Sequence, residues 1–258
     1  MLDSLASRTG RAVPYLTVVT DSFVINKSWL CSKSPLWAVT DPWTRAIMEE
    51  KGLPQDRLRV TGFPVNPVLG ALAKEHPLSW KEGEPFRVLY FAQRSARHAR
   101  AELAGMLDAN PALHVTCILG RRFRRIYPRI RDLRARYGRR LTVRGWTRRV
   151  PSYLAASHVV VGKAGGATVH EVLAAARPML VNFLLPGQEE GNTRLLEKLG
   201  GGSHVPDARA LASALQEMMA DGGAQWRRMH ENLLRAGMTG GSGRIADLAL
   251  KLAEEHTN

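Results

Sequence analysis

The sequence has few of the residues from which disulfide scaffolds, metal centres and membrane spans are built. Its two cysteines, Cys31 and Cys117, lie far apart and match no redox or metal spacing, which predicts two buried thiols in a reducing cytoplasm. The eight histidines form no metal-ligand motif, so we expect no metal site. The best apolar stretch, residues 179–185, includes Asn182 and is far shorter than the roughly 20 residues of a membrane-spanning helix.

Acidic residues are nearly absent from one segment. Residues 121–149 contain thirteen arginines and a single acid, Asp132, in a chain of net charge +14. Arginine clusters bind phosphate groups and are attracted to anionic bilayers, so a membrane or acidic-lipid role ranks first. A solvated helix face ranks second, although such a face normally carries compensating glutamates. Nucleic acid ranks third and is not expected to bind, because no nucleic-acid-binding motif accompanies the arginines.

Apolar runs alternate with helical patterns along the chain, which predicts an α/β fold with parallel sheets and helices on both faces. Strands are predicted at residues 15–20, 36–40, 57–61, 87–91, 114–119, 141–144, 158–162 and 179–183. Helices are predicted at residues 42–51, 97–108, 122–137, 208–220 and 225–236, and again after the glycines of residues 240–243.

This pattern divides the chain into two Rossmann-like domains. We predict part of a first domain at residues 1–74, a linker at 75–85, a second domain at 86–240 and a helix at 241–258 that returns toward the first domain. Three strands and one helix are too few for a complete Rossmann-like core. We therefore expect the first domain to be incomplete, because the sequence is a fragment or starts too late, or because a partner chain completes it.

The most informative segment is residues 162–192, in which a glycine pair precedes a helix and a later strand leads into a polar turn. Gly165 and Gly166 lack Cβ atoms, so a diphosphate could approach the free N–H groups at the start of the helix. Glu171 lies three residues past Thr168 on the same helix face, where its two oxygens could accept both hydroxyls of a ribose. The pattern predicts a sugar-nucleotide site.

The turn after the next strand adds Gln188, Glu189 and Asn192, which offer the donors and acceptors that a hexose needs. This turn follows a strand of the same sheet, at the edge where open α/β sheets bind ligands. The alternative is that Thr168 and Glu171 form a capping box, which would only satisfy the first amides of the helix. An ordinary dinucleotide fingerprint fits less well, because its acid comes about 20 residues after the glycines.

Residues 162–192 resemble the donor half of GT-B glycosyltransferases of the family 28 type. This group includes monogalactosyldiacylglycerol synthase, the processive diacylglycerol glucosyltransferases and, more distantly, the peptidoglycan N-acetylglucosaminyltransferase. Further motifs of the lipid-modifying branch are matched in order at residues 17–21, 26–29, 60–65 and 145–147. The resemblance covers about residues 14–205 and implies that residues 1–74 belong to the acceptor side and residues 86–240 to the donor side.

The resemblance implies that one polar cluster holds a UDP-sugar, which is a substrate, and that no cofactor is needed. The expected members are Glu171 for the ribose, Gly165, Gly166, Thr168 and Arg121 for the diphosphate, Gln188, Glu189 and Asn192 for the sugar, and Trp146 for the uracil. The implied reaction transfers a hexose to a hydroxyl of a lipid such as diacylglycerol. The implied location is the cytoplasm, peripherally on the inner face of the membrane.

Three departures from the family pattern bear on activity. Asn26 replaces a histidine, residues 91–95 replace a glycine-rich turn, and residues 120–122 replace a Gly-x-Asn pattern. The catalytic residues stay unassigned: Asp21 is considered, but a base in a segment before Met1 is favoured. We therefore expect this chain by itself to bind a uridine nucleotide without turnover. The alternatives are a non-catalytic protein that binds nucleotides and anionic membranes, and a sugar-nucleotide epimerase, which would need further catalytic acids.

Overall fold

The computed structural model describes residues 14–31, 33–75 and 78–255, and within them all neighbouring strands are parallel. Buried, β-branched runs such as the valines of residues 159–161 form these strands, as is typical of sheets covered on both faces. The strands are β1 (Thr17–Val18), β2 (Trp37–Val39), β3 (Leu58–Val60), β4 (Phe86–Phe91), β5 (Leu113–Ile118), β6 (Leu141–Arg144), β7 (Val159–Lys163), β8 (Met179–Phe183) and β9 (Gly202–His204).

Helices connect the strands. They are α1 (Lys27–Leu30), α2 (Pro42–Glu50), α3 (Val68–Glu75), α4 (Ala96–Ala109), α5 (Phe123–Ile126), α6 (Arg131–Tyr137), α7 (Val150–Ala156), α8 (Gly166–Ala174), α9 (Gln188–Lys198), α10 (Ala208–Ala236) and α11 (Gly241–Glu254). Non-helical dihedral angles at residues 220–223 break α10 into two segments, close to the boundary predicted from sequence.

The described strands form two sheets. The smaller has the order β1-β2-β3 and the larger the order β6-β5-β4-β7-β8-β9. Counted within the larger sheet alone, this is the 3-2-1-4-5-6 order of a dinucleotide-binding Rossmann fold. The order reverses between β4 and β7, so the connections on the two sides cover opposite faces and leave a crevice at the carboxyl ends of these strands. The predicted α/β class is confirmed.

Two apolar layers enclose the larger sheet, because alternate side chains of each strand point to opposite faces. Val88 and Tyr90 of β4 pack into one layer with residues of α4 and α10. Leu89, between them, packs into the other layer with residues of α8 and α9. The smaller sheet has its own core, which includes Val39 and Met48.

Two predictions of local structure are wrong. The helix predicted over residues 122–137 is split into α5 and α6 by a 3₁₀ turn that contains Pro128, whose ring nitrogen cannot donate a helical hydrogen bond. Strand β9 was not predicted, because its glycine has no strand propensity. A Cβ on Gly202 would overlap the carbonyl of Met179, so close strand pairing requires the glycine.

The second half of the predicted linker belongs to the core of the larger sheet. Trp80 is 4% exposed and packs edge-on against Phe86, with ring centroids 5.3 Å apart. Its indole N–H donates to the carbonyl of Glu84 at 3.0 Å. Gly223, in the break of α10, faces the same ring, and a Cβ there would lie 2.8 Å from it. The domain boundaries drawn from sequence remain predictions.

Helix α11 packs on the first part of the chain. The Arg244 guanidinium donates to the carbonyl of Thr61 at 2.6 Å, and the Ser242 hydroxyl donates to the carbonyl of Val65 at 2.5 Å. Gly241 sits so close to this segment that a Cβ would overlap the carbonyl of Phe63.

We predict that Gly241→Ala destabilises the protein by about 1–3 kcal/mol, because the added methyl group must displace backbone. Gly243→Ala is the matched control, since a Cβ at this position of the same helix meets no atom of the described residues within 4 Å. Its expected effect is zero to about 1 kcal/mol of stabilisation. Urea denaturation of both variants tests the prediction, and equal midpoints would contradict it.

Candidate functional site

The candidate site lies at the carboxyl edge of the larger sheet, where the loops after β4, β5 and β7 meet. The side-chain oxygen of Gln93 accepts a hydrogen bond from the backbone N–H of Lys163 at 2.9 Å. The backbone carbonyl of Gln93 accepts one from the Arg122 guanidinium at 2.6 Å. These bonds join the loops after β4 and β5 to the end of β7, at the point where the strand order reverses.

Between these loops lies a cavity of about 540 Å³ whose lining includes Arg121 and Lys163. Arg121 is exposed, and its guanidinium has no hydrogen bond or ion pair to the residues that the structure describes. With Arg122, which also lines the cavity, three cations lie at the crevice of this Rossmann-like sheet, and such an arrangement suits a phosphate-bearing ligand. Trp146 follows β6 outside this lining; it is 59% exposed, and the Arg148 guanidinium lies 5.5 Å from its ring centre.

Helix α8 begins without a side-chain cap. Gly165 occupies the N-cap position in an extended conformation, and no side chain among the described residues accepts a hydrogen bond from the first amides. Thr168 is the third residue of the helix, so Thr168 and Glu171 do not form the capping box of the alternative interpretation. The amides of the first turn are left for an anion.

Glu171 has the environment of a ligand-binding acid. Its side chain is half-buried in α8 and makes no hydrogen bond or ion pair within the described ranges. Burial raises the pKa of this carboxyl above its ordinary value. A partly desolvated carboxylate without a donor is unfavourable, and a ligand hydroxyl would relieve that cost.

The glycine pair also serves a contact that the sequence did not indicate. A Cβ on Gly166 would lie 3.0 Å from the carbonyl oxygen of Thr20, so this glycine admits the loop after β1. A Cβ on Gly165 would have ordinary clearance, 3.5 Å from Lys163 Nζ and 4.0 Å from Glu189 Oε1. Gly165 is thus the member of the pair that leaves the helix terminus open.

The predicted sugar-facing residues lie together, but each already has a partner. The buried carboxylate of Glu189 pairs with Lys163 Nζ at 2.5 Å and accepts a hydrogen bond from the backbone N–H of Leu185 at 2.8 Å. Gln188 is exposed and donates from its side chain to Asp21 Oδ2 at 3.0 Å. These polar side chains are therefore held in position by one another and by the backbone.

Asn192 is buried between α8 and α9. Its amide nitrogen donates to the carbonyl of Ala164 at 2.9 Å, whereas its buried Oδ1 has no partner among the described residues. Asp21 accepts a second hydrogen bond on Oδ2, from the Trp29 indole N–H at 2.6 Å. Asp21 therefore links the loop after β1 to the first turn of α9.

His170 was not singled out in the sequence, although it joins the two parts of the chain. Its buried ring stacks on Phe63 with centroids 4.4 Å apart, and its Nε2 lies 3.3 Å from the Ser22 hydroxyl oxygen. Gly191 contacts the same loop, since a Cβ there would overlap the carbonyl of Ser22. A single histidine within an apolar helix is typical of a core residue. Its position a few residues after the glycine pair was therefore the only feature of the sequence that could have indicated a role at the site.

Glu102 is a second residue that the sequence did not indicate. This acid of α4 is 2% exposed and accepts hydrogen bonds from Tyr90 Oη at 2.5 Å and Asn182 Nδ2 at 2.7 Å. It also pairs with Arg94 at 3.3 Å. Because Arg94 follows β4 and Asn182 lies in β8, this network connects the loop after β4 to β8. Because an acid on an amphipathic helix is normally exposed, nothing in the sequence indicated that Glu102 is a buried hydrogen-bond acceptor.

Four further sequence predictions can be compared with the structure. Cys117 is buried as expected, but Cys31 is exposed because it lies at the end of the short surface helix α1. Asn26 accepts a hydrogen bond from the Ser28 N–H at 2.9 Å and so caps that helix. Across the described ranges, no three His, Cys, Asp or Glu side chains converge as metal ligands. No helix in those ranges combines the length and apolar character needed to cross a membrane.

The described arginines of residues 121–149 do not form one uniform surface. Arg136 pairs with Asp108 of α4 at 3.0 Å, so the compensating acids lie on another helix. Asp132, the acid of the segment itself, pairs with Arg100 of α4 at 2.6 Å. Arg124 and other exposed arginines of the segment have no ion pair among the described residues.

Comparison with known proteins gives a family and a fold. The model of the glycosyltransferase family 28 C-terminal domain matches residues 101–242, more than half of the chain. Among solved structures, MurG of Acinetobacter baumannii has a TM-score of 0.67 at 15% identity, covering 96% of this chain and 69% of that one. HepE of Anabaena, solved with UDP, has a TM-score of 0.60 at 13% identity, covering 98% and 75%. The fold is GT-B-like.

Curated relatives are similar over most of the chain. The processive diacylglycerol beta-glucosyltransferase of Bacillus subtilis (strain 168) is 24% identical over 97% of this chain and 66% of its own length. The probable monogalactosyldiacylglycerol synthase 2 of Oryza sativa subsp. japonica is 25% identical over 94% of this chain and 50% of its own length. The chain thus spans about half to two thirds of the length of these relatives.

We predict that His170 makes stability depend on acidity. Burial lowers its pKa in the folded protein to about 4, although Asp41 partly opposes this, whereas an unfolded histidine titrates near 6.5. Because the unfolded chain binds the proton more tightly, stability falls as the pH drops from about 6.5 toward 4. The free-energy advantage of the wild type over His170→Gln should shrink by about 2 kcal/mol between pH 7 and pH 5. Denaturant titrations measure it, and a constant difference would refute it.

Proposed function

The chain belongs to glycosyltransferase family 28, and on that premise we propose that it transfers a hexose from a UDP-sugar to a hydroxyl of a lipid such as diacylglycerol. The names of its relatives, diacylglycerol glucosyltransferases and a monogalactosyldiacylglycerol synthase, support the lipid acceptor. The observation that carries the donor half of the proposal is the half-buried Glu171, without a partner among the described residues, on an uncapped helix that follows the cavity-lining Lys163.

The nucleotide part of the donor would meet groups that lack partners in the described structure. Glu171 would accept both hydroxyls of the ribose, which would replace the hydration lost on burial. Arg121 and the first amides of α8 would bind the diphosphate, because both present positive charge to the crevice. Trp146, exposed after β6, would border the uracil.

The sugar would be bound by an exchange of partners. When the diphosphate competes for Lys163, the carboxylate of Glu189 is released to accept hexose hydroxyls. Gln188 lies beside it, and the orphan Oδ1 of Asn192 is a further acceptor. This exchange accounts for the ion pair at the position where the donor sugar is expected.

In the transfer, the lipid hydroxyl attacks the anomeric carbon while the bond from that carbon to the UDP oxygen breaks. The hydroxyl proton passes to a general base, and the negative charge on the leaving diphosphate increases. The N-terminus of α8 and Arg121 would stabilise that charge. Asp21 faces this region from the first part of the chain, with both of its described side-chain hydrogen bonds on Oδ2.

Exposed arginines without ion pairs support a peripheral location on an anionic membrane, on its cytoplasmic face. Arg124 and Arg125 are adjacent, exposed and without an ion pair among the described residues. Each basic residue held near an anionic bilayer contributes about 1 kcal/mol. A lipid acceptor would be reached most directly by an enzyme held at that surface.

A second candidate is a protein that binds the nucleotide and the membrane without transferring sugar. The observation that favours it is Asn26, which stands where the resembling enzymes have histidine. Here the side chain caps α1 through the Ser28 N–H, a structural role with no titratable group. Sugar transfer by the purified chain would exclude this candidate.

We predict that Glu171→Ala weakens UDP binding by about 1.5–3 kcal/mol, or roughly 10- to 150-fold, because it removes charge-assisted hydrogen bonds to the ribose. Glu190→Ala is the matched control, since Glu190 is an exposed acid in the first turn of α9. Calorimetric titration should show UDP affinity unchanged within about twofold for the control. Equal affinity of Glu171→Ala and the wild type would reject the ribose assignment.

We predict that the protein sediments with vesicles that contain phosphatidylglycerol, and is released as salt shortens the Debye length. The double variant Arg124→Gln, Arg125→Gln should bind more weakly by about 2 kcal/mol. The control Arg209→Gln, Arg228→Gln removes the same charge from two exposed positions of α10. Equal losses in both double variants would show that net charge alone acts, and tighter binding to nucleic acid at matched salt would favour that ligand instead.

A further inference from the structure

A second basic cavity lies on the face of the larger sheet, away from its carboxyl edge. Its volume is about 320 Å³, and no acid lines it within the described chain. Tyr153 and Ser157 belong to its polar lining, and its basic side chains and two threonines come from β4, β5, β6 and the turn before β6. The side chains concerned are Arg87, His114, Thr116, Arg139, Arg140 and Thr142.

Strand register explains why these side chains meet. Arg87 of β4 is the parallel partner of His114 in β5. Thr116, two residues further along β5 and therefore on the same face, is the partner of Thr142 in β6. Neither threonine hydroxyl has a hydrogen-bond partner in the described part of the chain. Two hydroxyl donors are thus left between the cationic side chains.

Two of the arginines are held in place without neutralisation. The Arg87 guanidinium donates to the carbonyl of Ala156 at 2.6 Å and lies 3.1 Å from His158 Nε2. Arg140 donates to the carbonyls of Leu107, Leu113 and Asn110. Carbonyl oxygens fix the orientation of a guanidinium but leave its full charge uncompensated.

Nearby surface arginines differ, because they have acidic partners. Arg100 binds Asp132 through two hydrogen bonds of 2.6 Å, and Arg136 binds Asp108. Arg139 is exposed, lines the cavity and has no hydrogen bond or ion pair within the described ranges. Three guanidinium groups at one cavity thus lack a carboxylate partner.

The pKa of His114 reflects the positive charges around it. Burial lowers the pKa of its imidazole, and the positive charges of Arg140 and Arg87 lower it further. No acid contributes in the opposite direction to this shift. The cavity is therefore a region of positive potential, in which a bound anion would be stabilised.

We propose that this cavity is a second anion site that binds a phosphate group, carried either by a small phosphorylated molecule or by the headgroup of an anionic lipid. Arg139 would bind the phosphate directly, and Thr116 and Thr142 would donate hydrogen bonds to it. The site is distinct from the donor crevice, because the two cavities share no lining residue. The proposal does not depend on the sugar-transfer function.

The test is an NMR titration of the full chain with inorganic pyrophosphate. The readout is the imidazole signal of His114, assigned with His114→Gln. We expect saturable shifts in the wild type and at least fivefold weaker binding in Arg139→Gln. Arg209→Gln, which removes the same charge from an exposed arginine of α10 outside the cavity, should bind within twofold of the wild type.

A second arm distinguishes the two sources of phosphate. Phosphatidylcholine vesicles with and without phosphatidic acid are added to the wild type and to both arginine variants. Vesicle binding that requires phosphatidic acid and Arg139 but not Arg209 assigns the site to a lipid headgroup, whereas pyrophosphate binding without vesicle binding assigns the site to a soluble phosphate. Equal weakening by both variants, or no shift of the His114 signal with either probe, would overturn the proposal.

Discussion

The reversal of strand order between β4 and β7 is the constraint on which the rest of the site depends. Parallel strands need long crossovers, and where the crossovers change sides no helix can cover the carboxyl ends of the two central strands. Polar loops fill that opening, and Gln93 ties the loop after β4 to the backbone of Lys163. Beneath these loops, the buried carboxylate of Glu102 accepts hydrogen bonds from Tyr90 of β4 and Asn182 of β8. These bonds fix the positions of both side chains below the cavity.

Elements with a strong local pattern could be predicted from sequence. The run of β8 and the apolar face of α4 carry their own periodicity, and residues 162–192 combine glycines, an acid and amides at spacings that indicate a ligand. The contacts made across the crevice could not be predicted. Nothing local to Gly166 indicates the carbonyl of Thr20 beside it, and nothing local to Gln188 indicates Asp21. These pairings exist because two distant segments meet in space.

Charge shows the same limit. The count of arginines in residues 121–149 is a property of the sequence, but their uses differ with what each side chain reaches. Arg122 and Arg140 orient loops by donating to carbonyls, whereas Arg136 pairs with an acid from another helix. The arginines that keep uncompensated charge are those that face a cavity or solvent. A basic segment therefore has to be divided residue by residue before its electrostatic role is assigned.

The ion pair between Lys163 and Glu189 has a consequence for ligand discrimination. Any anion that recruits Lys163 must compete with a carboxylate already 2.5 Å from its ammonium group, one that is also held by the Leu185 amide. A monoanion offers Lys163 little that Glu189 does not already supply, whereas a polyanion offers more charge and a second point of attachment at Arg121. The pair thus favours ligands of higher negative charge. A neutral nucleoside would not displace the Glu189 carboxylate from Lys163.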